Sequence, residues 1–285
     1  MGNQTAIAWT NKTWNPWQGC IKVSPGCKFC YMYRDKERYK QDPKNIHRSA
    51  RNTFRAPLSW TEPGLVFTCS WSDWFIKEAD EWRAEAWEII RRTPHLIYQI
   101  LTKRPERIEE CLPPGWMKPG LDGTLQFSNV WLGVSVENQD LAEQRLPILA
   151  KVTAAVRFVS FEPLLGAIKL SSIPVMTSGA AEVKKWTPAF EWAIIGGESG
   201  NETGRYRFRE CQTDWIASLI HECESAGVPV FVKQVGSHIA KVYHYQDRHG
   251  KNLAEWPKRL QVQQWPVIHS LKIPFTVKDV ENAIY

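Results

Sequence analysis

The run "NVWLGVSVENQ" (129–139) gives the clearest indication of the fold class of this 285-residue chain. Its first eight residues are almost continuously apolar, and a polar turn and a helical pattern, "ENQDLAEQRLPILAKV" (137–152), follow directly. A strand without polar alternation is typical of a parallel sheet, because both faces of such a sheet are covered. The next apolar run, "AVRFVSF" (155–161), completes one strand–helix–strand unit.

The same alternation recurs along the chain. Other strand-like runs lie at 12–20, 64–70, 95–101, 191–197 and 228–234. Further helical patterns lie at 31–41, 78–92, 104–112 and 210–227. From residue 64 onward, successive strands begin roughly 25 to 40 residues apart, which is the spacing of βαβ units. We therefore expect an α/β fold, namely a complete or partial (β/α) TIM-type barrel of about 6–7 parallel strands. A doubly wound open sheet is the alternative.

The order of these patterns also predicts the domain organisation. Residues 1–236 are expected to form the barrel domain, with an insertion near 171–190. The Trp- and Lys-rich remainder, 237–285, is expected to be a C-terminal extension that packs on the barrel.

The composition limits the class of protein. Charged residues make up 23% of the chain and apolar residues 43%, as in soluble globular proteins. No apolar stretch approaches the length of a membrane span, and the first residues lack the apolar core of a leader peptide. We therefore expect a cytoplasmic protein with no membrane partner, and a monomer is favoured. The formal charge of +6 favours a polyanionic partner only weakly.

Three of the seven cysteines cluster in "GCIKVSPGCKFCY" (19–31), with the spacing C-x6-C-x2-C. Cysteines of a cytoplasmic chain are expected to be reduced, so clustered thiols indicate metal ligands or redox groups. Cys20, Cys27 and Cys30 suit an iron–sulfur cluster or zinc. Zinc would need a fourth ligand, for which His47 and Cys69 are candidates, and reactive free thiols are a further alternative. An iron–sulfur cluster that is held by only three cysteines instead leaves one iron open to a reacting molecule.

Each predicted strand ends in polar or charged residues. An ordinary solvated turn explains any one such end, but not a succession of six. The carboxyl ends of the strands of a parallel barrel converge on one face, so we predict one shared site at the barrel mouth. The predicted site residues after the second and later strands are Cys69, Ser70, Ser72, Asp73, Lys103, Ser135, Glu137, Glu162, Glu198 and Lys233.

The cysteine loop and these strand ends together resemble the radical SAM superfamily, and specifically a phage-associated radical SAM-like family of mostly unknown function. The motifs that carry this resemblance are "TWNPWQGCIKVSPGCKFCY", "LTKRPERI", "NVWLGVSVENQ", "RFVSFEPLLG", "IIGGESG" and "GVPVFVKQVG". They occur in this order over residues 13–236. The usual cysteine spacing of the superfamily is C-x3-C-x2-C, so the first gap is longer in this chain.

The resemblance implies a 4Fe-4S cluster on Cys20, Cys27 and Cys30, with S-adenosylmethionine (SAM) on the open iron. Reductive cleavage of SAM would release a 5′-deoxyadenosyl radical that abstracts hydrogen from a substrate. The electron would come from a reductant such as flavodoxin or ferredoxin.

Roles in SAM binding are assigned here by position alone. The SAM ammonium is expected near Ser70, Ser72 and Asp73. The ribose or carboxylate side of SAM is expected near Ser135, Glu137 and Glu162, with Lys103 as the cation.

Cys69, Glu198 and Lys233 are the candidate catalytic residues. Many radical SAM proteins place a Gly-Gly-Glu motif near the second strand, where it meets the SAM amino group. Here Gly196-Gly197-Glu198 follows the sixth strand, so that role is not carried over, and Glu198 is expected to face the substrate or the adenosine. Cys69 is a candidate hydrogen donor.

Two basic segments, "KNIHRSARNTFR" (44–55) and "RYRFRE" (205–210), predict a nucleic-acid substrate, DNA more than RNA. Cations interleaved with aromatic rings suit phosphates and stacked bases. The arginines predicted to contact nucleic acid are Arg48, Arg51, Arg205, Arg207 and Arg209. Repair of a pyrimidine photoproduct, for which spore photoproduct lyase is the precedent, and base modification are both open. The alternatives are a radical SAM enzyme for a small nucleotide or peptide, and a non-catalytic iron–sulfur or zinc protein that binds nucleic acid.

Overall fold

The structure is a computed structural model that describes residues 5, 7–173 and 189–266. Its strands, in chain order, are β1 (Lys12–Trp14), β2 (Trp17–Gln18), β3 (His47–Arg48), β4 (Gly64–Thr68), β5 (Leu96–Thr102), β6 (Val130–Ser135), β7 (Val156–Phe161), β8 (Trp192–Gly196) and β9 (Val230–Gln234). Its α-helices are α1 (Tyr31–Arg38), α2 (Arg51–Phe54), α3 (Asp80–Arg92), α4 (Ile108–Cys111), α5 (Gln139–Leu149), α6 (Thr213–Ser225) and α7 (Ser237–Val242).

Seven of the strands form one parallel sheet in the order β1-β4-β5-β6-β7-β8-β9. The spatial order follows the chain without reversal, so the sheet has no switch point of the doubly wound type and that alternative is wrong. Within the described residues β9 does not pair with β1, so the curled sheet is a partial barrel. The expectation of a parallel α/β barrel with about seven strands is confirmed in this form.

Along each strand, successive side chains point alternately into the barrel interior and toward its outer face. The interior is packed with aromatic rings at its floor, where Trp9, Phe158 and Trp192 contact one another. Gly133 of β6 makes room for this packing, because a Cβ there would lie 2.5 Å from the Phe158 ring. The outward residues of the same strands join the buried faces of α3, α5 and α6 in two large apolar clusters.

The first predicted strand is interrupted. β1 ends at Trp14, and the chain then leaves the sheet to form the short antiparallel pair β2–β3. Pro16 has no N–H to donate to a ladder, which explains the break. Gly19 has φ +87°, and a Cβ there would lie 2.4 Å from the Asn45 carbonyl oxygen, so only glycine fits this turn.

Residues after β9 cover the edge of the sheet. Val232 donates its N–H to the Val262 carbonyl at 2.8 Å, and Gln264 donates to the Val230 carbonyl at 2.7 Å. Trp265 stacks on Trp192 with ring centroids 5.1 Å apart. Most of the predicted insertion (174–188) and the rest of the predicted extension (267–285) lie outside the described residues. None of the described helices combines the length and apolarity that crossing a membrane requires.

Candidate functional site

A cavity of about 490 Å³ opens at the carboxyl ends of the parallel strands. Its volume is within the range of about 300–1,000 Å³ that is typical of small-molecule sites. The predicted site residues that line it are Cys20, Cys27, Cys30, Cys69, Ser70, Ser72, Asp73, Lys103, Ser135, Glu162, Glu198 and Lys233. Glu137 and the five predicted nucleic-acid arginines do not line it. The curled sheet therefore brings together residues that are far apart in the sequence.

The cysteine loop, residues 20–30, is fastened at its start to the second and third sheet strands. Ser72 donates a hydrogen bond to the Gly19 carbonyl at 2.6 Å, and the Trp71 carbonyl accepts the Gly19 N–H at 3.1 Å. Arg104, which follows β5, donates to the Ile21 carbonyl at 2.8 Å and lies 3.9 Å from Cys20 Sγ. The first cysteine is thus held between two strand ends.

The middle of the loop is fastened to the end of β6. Ser24 Oγ donates to Glu137 Oε1 at 2.7 Å, and Gly26 packs so closely that a Cβ would lie 2.4 Å from the same oxygen. Glu137 is fully buried and also pairs with Lys103 at 2.7 Å and Arg145 at 3.2 Å. Both of its oxygens are therefore engaged behind the cavity wall. The six residues between Cys20 and Cys27 provide the length that reaches Glu137.

Each half-buried cysteine of the loop has groups beside it that favour a thiolate. Burial raises the pKa of the Cys20 thiol to about 12, with Asp73 adding to the rise and the Arg104 guanidinium opposing it. Burial also raises the pKa of Cys30, against which the backbone N–H groups of Met32 and Tyr33 act by hydrogen bonding to the sulfur. These N–H groups belong to the first turn of α1, where thiolates are stabilised.

All seven cysteines have free thiols. In the described parts of the chain, no group of three or more His, Cys, Asp and Glu side chains is arranged to hold a metal ion. The two candidates for a fourth zinc ligand lie apart: Cys69 lines the cavity, whereas His47 does not and has its Nδ1 2.9 Å from the Asn45 carbonyl oxygen.

A carboxylate and an ammonium face each other across the end of β7 and β9. Glu162 Oε1 lies 3.1 Å from Lys233 Nζ, and both side chains line the cavity. Gly196 on the intervening strand β8 makes room for the carboxylate, since a Cβ there would lie 2.3 Å from Glu162 Oε1. The pair offers a ligand both a cation and a carboxylate.

The glutamate of the Gly-Gly-Glu motif is bound by an arginine that also contacts the cysteine loop. Arg209 binds Glu198 with two side-chain nitrogens, Nη2 to Oε1 at 2.6 Å and Nε to Oε2 at 2.8 Å. The same guanidinium donates to the Pro25 carbonyl at 2.8 Å and lies 5.1 Å from the centroid of the Phe29 ring. Glu198 is thus tied to the cysteine loop through Arg209.

Asp73 and its neighbours also have partners within the chain. The Asp73 carboxylate accepts hydrogen bonds from Thr102 Oγ1 at 2.7 Å and from the Lys103 N–H at 2.9 Å, and pairs with Arg104 at 3.1 Å. Ser70 Oγ exchanges hydrogen bonds with the Asn15 amide. These contacts hold the end of β4 in place while leaving its side chains on the cavity wall.

Cys69 has a backbone conformation unusual for a residue with a side chain, with φ +59°. Its N–H donates to the Trp14 carbonyl at 2.8 Å, and its carbonyl accepts from the Ser72 N–H at 3.1 Å. Burial, with the nearby Asp73 carboxylate, raises the pKa of its thiol well above the usual value. Burial therefore favours the thiol over the thiolate form of Cys69.

The predicted nucleic-acid arginines occupy different environments. Arg48 pairs with Glu85 at 2.6 Å and stacks on Phe54, and Arg205 pairs with Glu37 at 3.1 Å while its side chain stays 75% exposed. Arg51 and Arg207 are exposed, and their side chains have no partner among the described residues. Arg51 and Arg207 are thus available to a ligand, whereas Arg209 is engaged with Glu198 and the Pro25 carbonyl.

Several residues that line the cavity are not among the predicted site residues. Arg104, Phe29, Tyr31, Trp71 and Gln234 line the cavity, and the last of these donates to the Gly197 carbonyl at 2.9 Å. Arg104 directly follows Lys103 at a strand end, which was the available signal. The aromatic residues also had a signal, because Phe29 and Tyr31 flank Cys30 and Trp71 lies between two predicted site residues.

A comparison with protein families shows what the chain belongs to. Residues 4–265 match the family described as "Protein of unknown function (DUF5131)", and the match covers most of the chain. The protein is a member of this family. Searches of curated proteins and of solved structures found no match.

Proposed function

We propose that this protein is a radical SAM enzyme that holds a 4Fe-4S cluster on Cys20, Cys27 and Cys30 and acts on a nucleic-acid substrate. One observation carries the proposal: the three cysteines of one loop and polar residues from six successive strand ends line the same cavity. A small cofactor bound there would touch the cysteine loop and the strand ends together.

Thiols are the ligands that an iron–sulfur cluster takes, although among the described residues the three cysteines are not arranged as a site for a single metal ion. Three thiols are available, and the groups beside them stabilise negative sulfur: Arg104 next to Cys20 and the α1 N–H groups next to Cys30. Hydrogen bonds and positive charge near the sulfurs are among the factors that tune such clusters. When bound, the cluster would supply one electron to the sulfonium of SAM.

The remaining wall residues suit SAM itself. Lys233 would bind its carboxylate, and Glu162 would accept from its ammonium or ribose, since each offers the opposite charge or a hydrogen-bond partner. Ser135 and Ser160 add hydroxyl groups on the neighbouring strands. Phe29 and Tyr31 would exclude water from the site. We assign Glu137 to holding the loop, because its oxygens are already engaged.

The nucleic-acid assignment is supported by charge outside the cavity. Arg207 lies on the loop that also fastens Pro25, and Arg51 lies at the start of α2; both are exposed. Exposed guanidinium groups suit phosphates. Cys69 lies on the cavity wall, where burial favours its thiol form, and would donate a hydrogen atom from its S–H bond to a substrate radical, becoming a thiyl radical itself.

Anaerobic reconstitution with iron and sulfide tests the proposal. We expect brown absorbance, about four irons per chain for one 4Fe-4S cluster, and 5′-deoxyadenosine on adding reductant and SAM. Cys27→Ala should abolish both, whereas Cys223→Ala is the matched control, since that buried cysteine lies in the outer core away from the cavity. Stoichiometric zinc without SAM cleavage, or cleavage retained in Cys27→Ala, would overturn the proposal.

A further inference from the structure

A second pocket of about 400 Å³ lies beside the edge strand β1, and we call it the side pocket. Its wall includes three tryptophans and three polar side chains: Trp14, Trp60, Trp71, Gln18, Asn52 and Thr53. The side pocket and the central cavity share two lining residues, Thr13 and Trp71. The two spaces are therefore neighbours separated by one layer of side chains.

Two of the tryptophans, Trp60 and Trp71, are only half-buried. Trp14 is buried and its indole N–H donates to the Phe54 carbonyl at 3.1 Å. Trp60 and Trp71 are half-buried, and neither ring packs against another aromatic ring in the described residues. Every nucleobase has a π-face that stacks on such rings.

The region behind and beside the side pocket is positively charged. Lys36 is 2% exposed; its ammonium donates to Gln18 Oε1 at 2.7 Å and lies 5.4 Å from the centroid of the Trp71 ring. Within the described ranges Lys36 has no carboxylate partner, and burial lowers its pKa. A buried cation without a counter-ion creates a field that favours an anion nearby.

Other cations lie on the outer side of the pocket. Lys12 Nζ lies 6.0 Å from the centroid of the Trp60 ring, with Glu62 as the nearby carboxylate that acts on it. Arg51, exposed at the start of α2, directly precedes Asn52. With Lys36, three cations therefore lie near the side pocket, and Glu62 acts on one of them, Lys12.

The side pocket also has polar side chains that are available to form hydrogen bonds with a ligand. The side chains of Asn52 and Thr53 have no hydrogen-bond partner in the part of the chain that the structure describes. An amide and a hydroxyl can each donate and accept, as the edge of a base requires. By contrast, the Asn15 amide is already bonded to Ser70 and to the Trp71 N–H.

We propose that the side pocket is a stacking subsite for one base of an unpaired nucleic-acid strand. The base lies against Trp60 and Trp71, its edge meets Asn52 and Thr53, and the adjoining phosphates meet Lys12 and Arg51. Rings alone would also suit a sugar, but the uncompensated positive charge favours a nucleotide. The proposal rests on the nucleic-acid substrate proposed above, and places the stacked nucleotide next to the one that enters the central cavity.

Binding of labelled single-stranded oligonucleotides, followed by fluorescence anisotropy, tests this subsite without SAM or reductant. We expect a thymidine oligomer to bind about 10-fold more tightly than an abasic oligomer with the same number of phosphates, because base–aromatic stacking contributes that much per base. In Trp60→Leu this ratio should fall several-fold, with Trp71 keeping part of it, while the salt dependence is unchanged. Trp82→Leu is the matched control, since Trp82 is also half-buried but does not line the side pocket.

Asn52→Ala changes an exposed residue and provides a second test if Trp60→Leu does not fold. It should weaken binding of the thymidine oligomer several-fold and leave the abasic oligomer unaffected. An unchanged ratio in both variants, equal binding of the two oligomers to the unaltered protein, or displacement by a neutral oligosaccharide would overturn the subsite. Because the assay needs no SAM chemistry, its result is independent of whether 5′-deoxyadenosine is formed.

Discussion

Ser24 Oγ donates a hydrogen bond to Glu137 Oε1 at 2.7 Å, across 113 residues of sequence. This bond joins the middle of the cysteine loop to the carboxyl end of β6. Lys103 and Arg145 hold the same carboxylate from the other side. The position of the cysteines therefore depends on a buried ion-pair network of the barrel.

Gly26→Ala tests how tightly the loop is packed. A Cβ would lie 2.4 Å from Glu137 Oε1, and the carboxylate cannot move aside without leaving its cations. We expect the free energy of unfolding to fall by about 1–3 kcal/mol, as in other overpacked sites, and iron binding to fall with it. Urea denaturation and iron analysis after reconstitution measure the two effects.

Gly166→Ala is the control for this substitution. The nearest atom to a Cβ at Gly166 is Asn138 Cβ at 4.0 Å, so the added methyl group fits. Equal stability of the two variants would contradict the packing described for Gly26.

Glu137→Gln tests the buried ion-pair network. The substitution keeps the shape of the side chain but leaves the charges of Lys103 and Arg145 without their carboxylate. Removing one partner of a buried pair typically costs about 3–5 kcal/mol in the free energy of unfolding. Glu191→Gln, at a pair with Arg157 that is partly exposed, should cost less than about 1 kcal/mol. Chemical denaturation compares them, and similar losses would argue against a special role for Glu137.

Arg207→Ala tests the proposed phosphate contact. Its side chain is exposed and has no hydrogen bond or ion pair within the described residues, so stability should change little. If it neutralises one phosphate, the slope of log K against log salt for single-stranded DNA should fall by about 0.7. Binding isotherms at several salt concentrations measure the slope, and an unchanged slope would rule out this contact.

Arg209→Ala should behave differently although it is only two residues away. Its loss leaves the buried Glu198 carboxylate without its bidentate partner and frees Pro25. We expect a loss of about 1–3 kcal/mol in the free energy of unfolding. Thermal unfolding of both variants separates the two roles, and a stable Arg209→Ala protein would contradict the internal role.

Cys211 is expected to make the protein sensitive to alkali. Burial raises the pKa of this thiol from 9.0 to about 12, with Glu210 adding to the rise. The folded chain therefore keeps a proton that the unfolded chain loses above about pH 9, and the stability from this group falls as pH rises between these two values. The free energy of unfolding should fall by at most about 1.4 kcal/mol per pH unit because of this one group.

Cys211→Ala should flatten the decline in stability over that range, in addition to a pH-independent loss of about 1 kcal/mol because a buried sulfur is removed from the core. Denaturant unfolding from pH 8 to 11 measures the slope. Parallel pH profiles for the two proteins would show that Cys211 does not titrate in this way. The other buried thiols, whose pKa values burial also raises, should keep part of the decline in both.

The strand order and much of the site could be predicted from the sequence. Apolar runs such as 129–136 identify parallel strands, and polar residues such as Lys103 and Glu162 directly after them identify the mouth of the barrel, because parallel strands place their carboxyl ends together. The break after β1 was missed, although Pro16 is the residue that causes it.

Only the tertiary contacts show which of these residues line the cavity and which support its wall through hydrogen bonds and ion pairs. Glu137 and Glu162 both follow a strand, yet Glu137 is fully buried between two cations and a loop serine, whereas Glu162 lines the cavity beside Lys233. Arg207 and Arg209 both belong to one basic motif, yet only Arg209 reaches Glu198. The sequence determines which charges are near the mouth, but their roles depend on partners more than 100 residues away for Glu137 and 184 residues away for Arg209. Such contacts exist only once the sheet has curled, because curling is what brings the strand ends within hydrogen-bond distance of the loop.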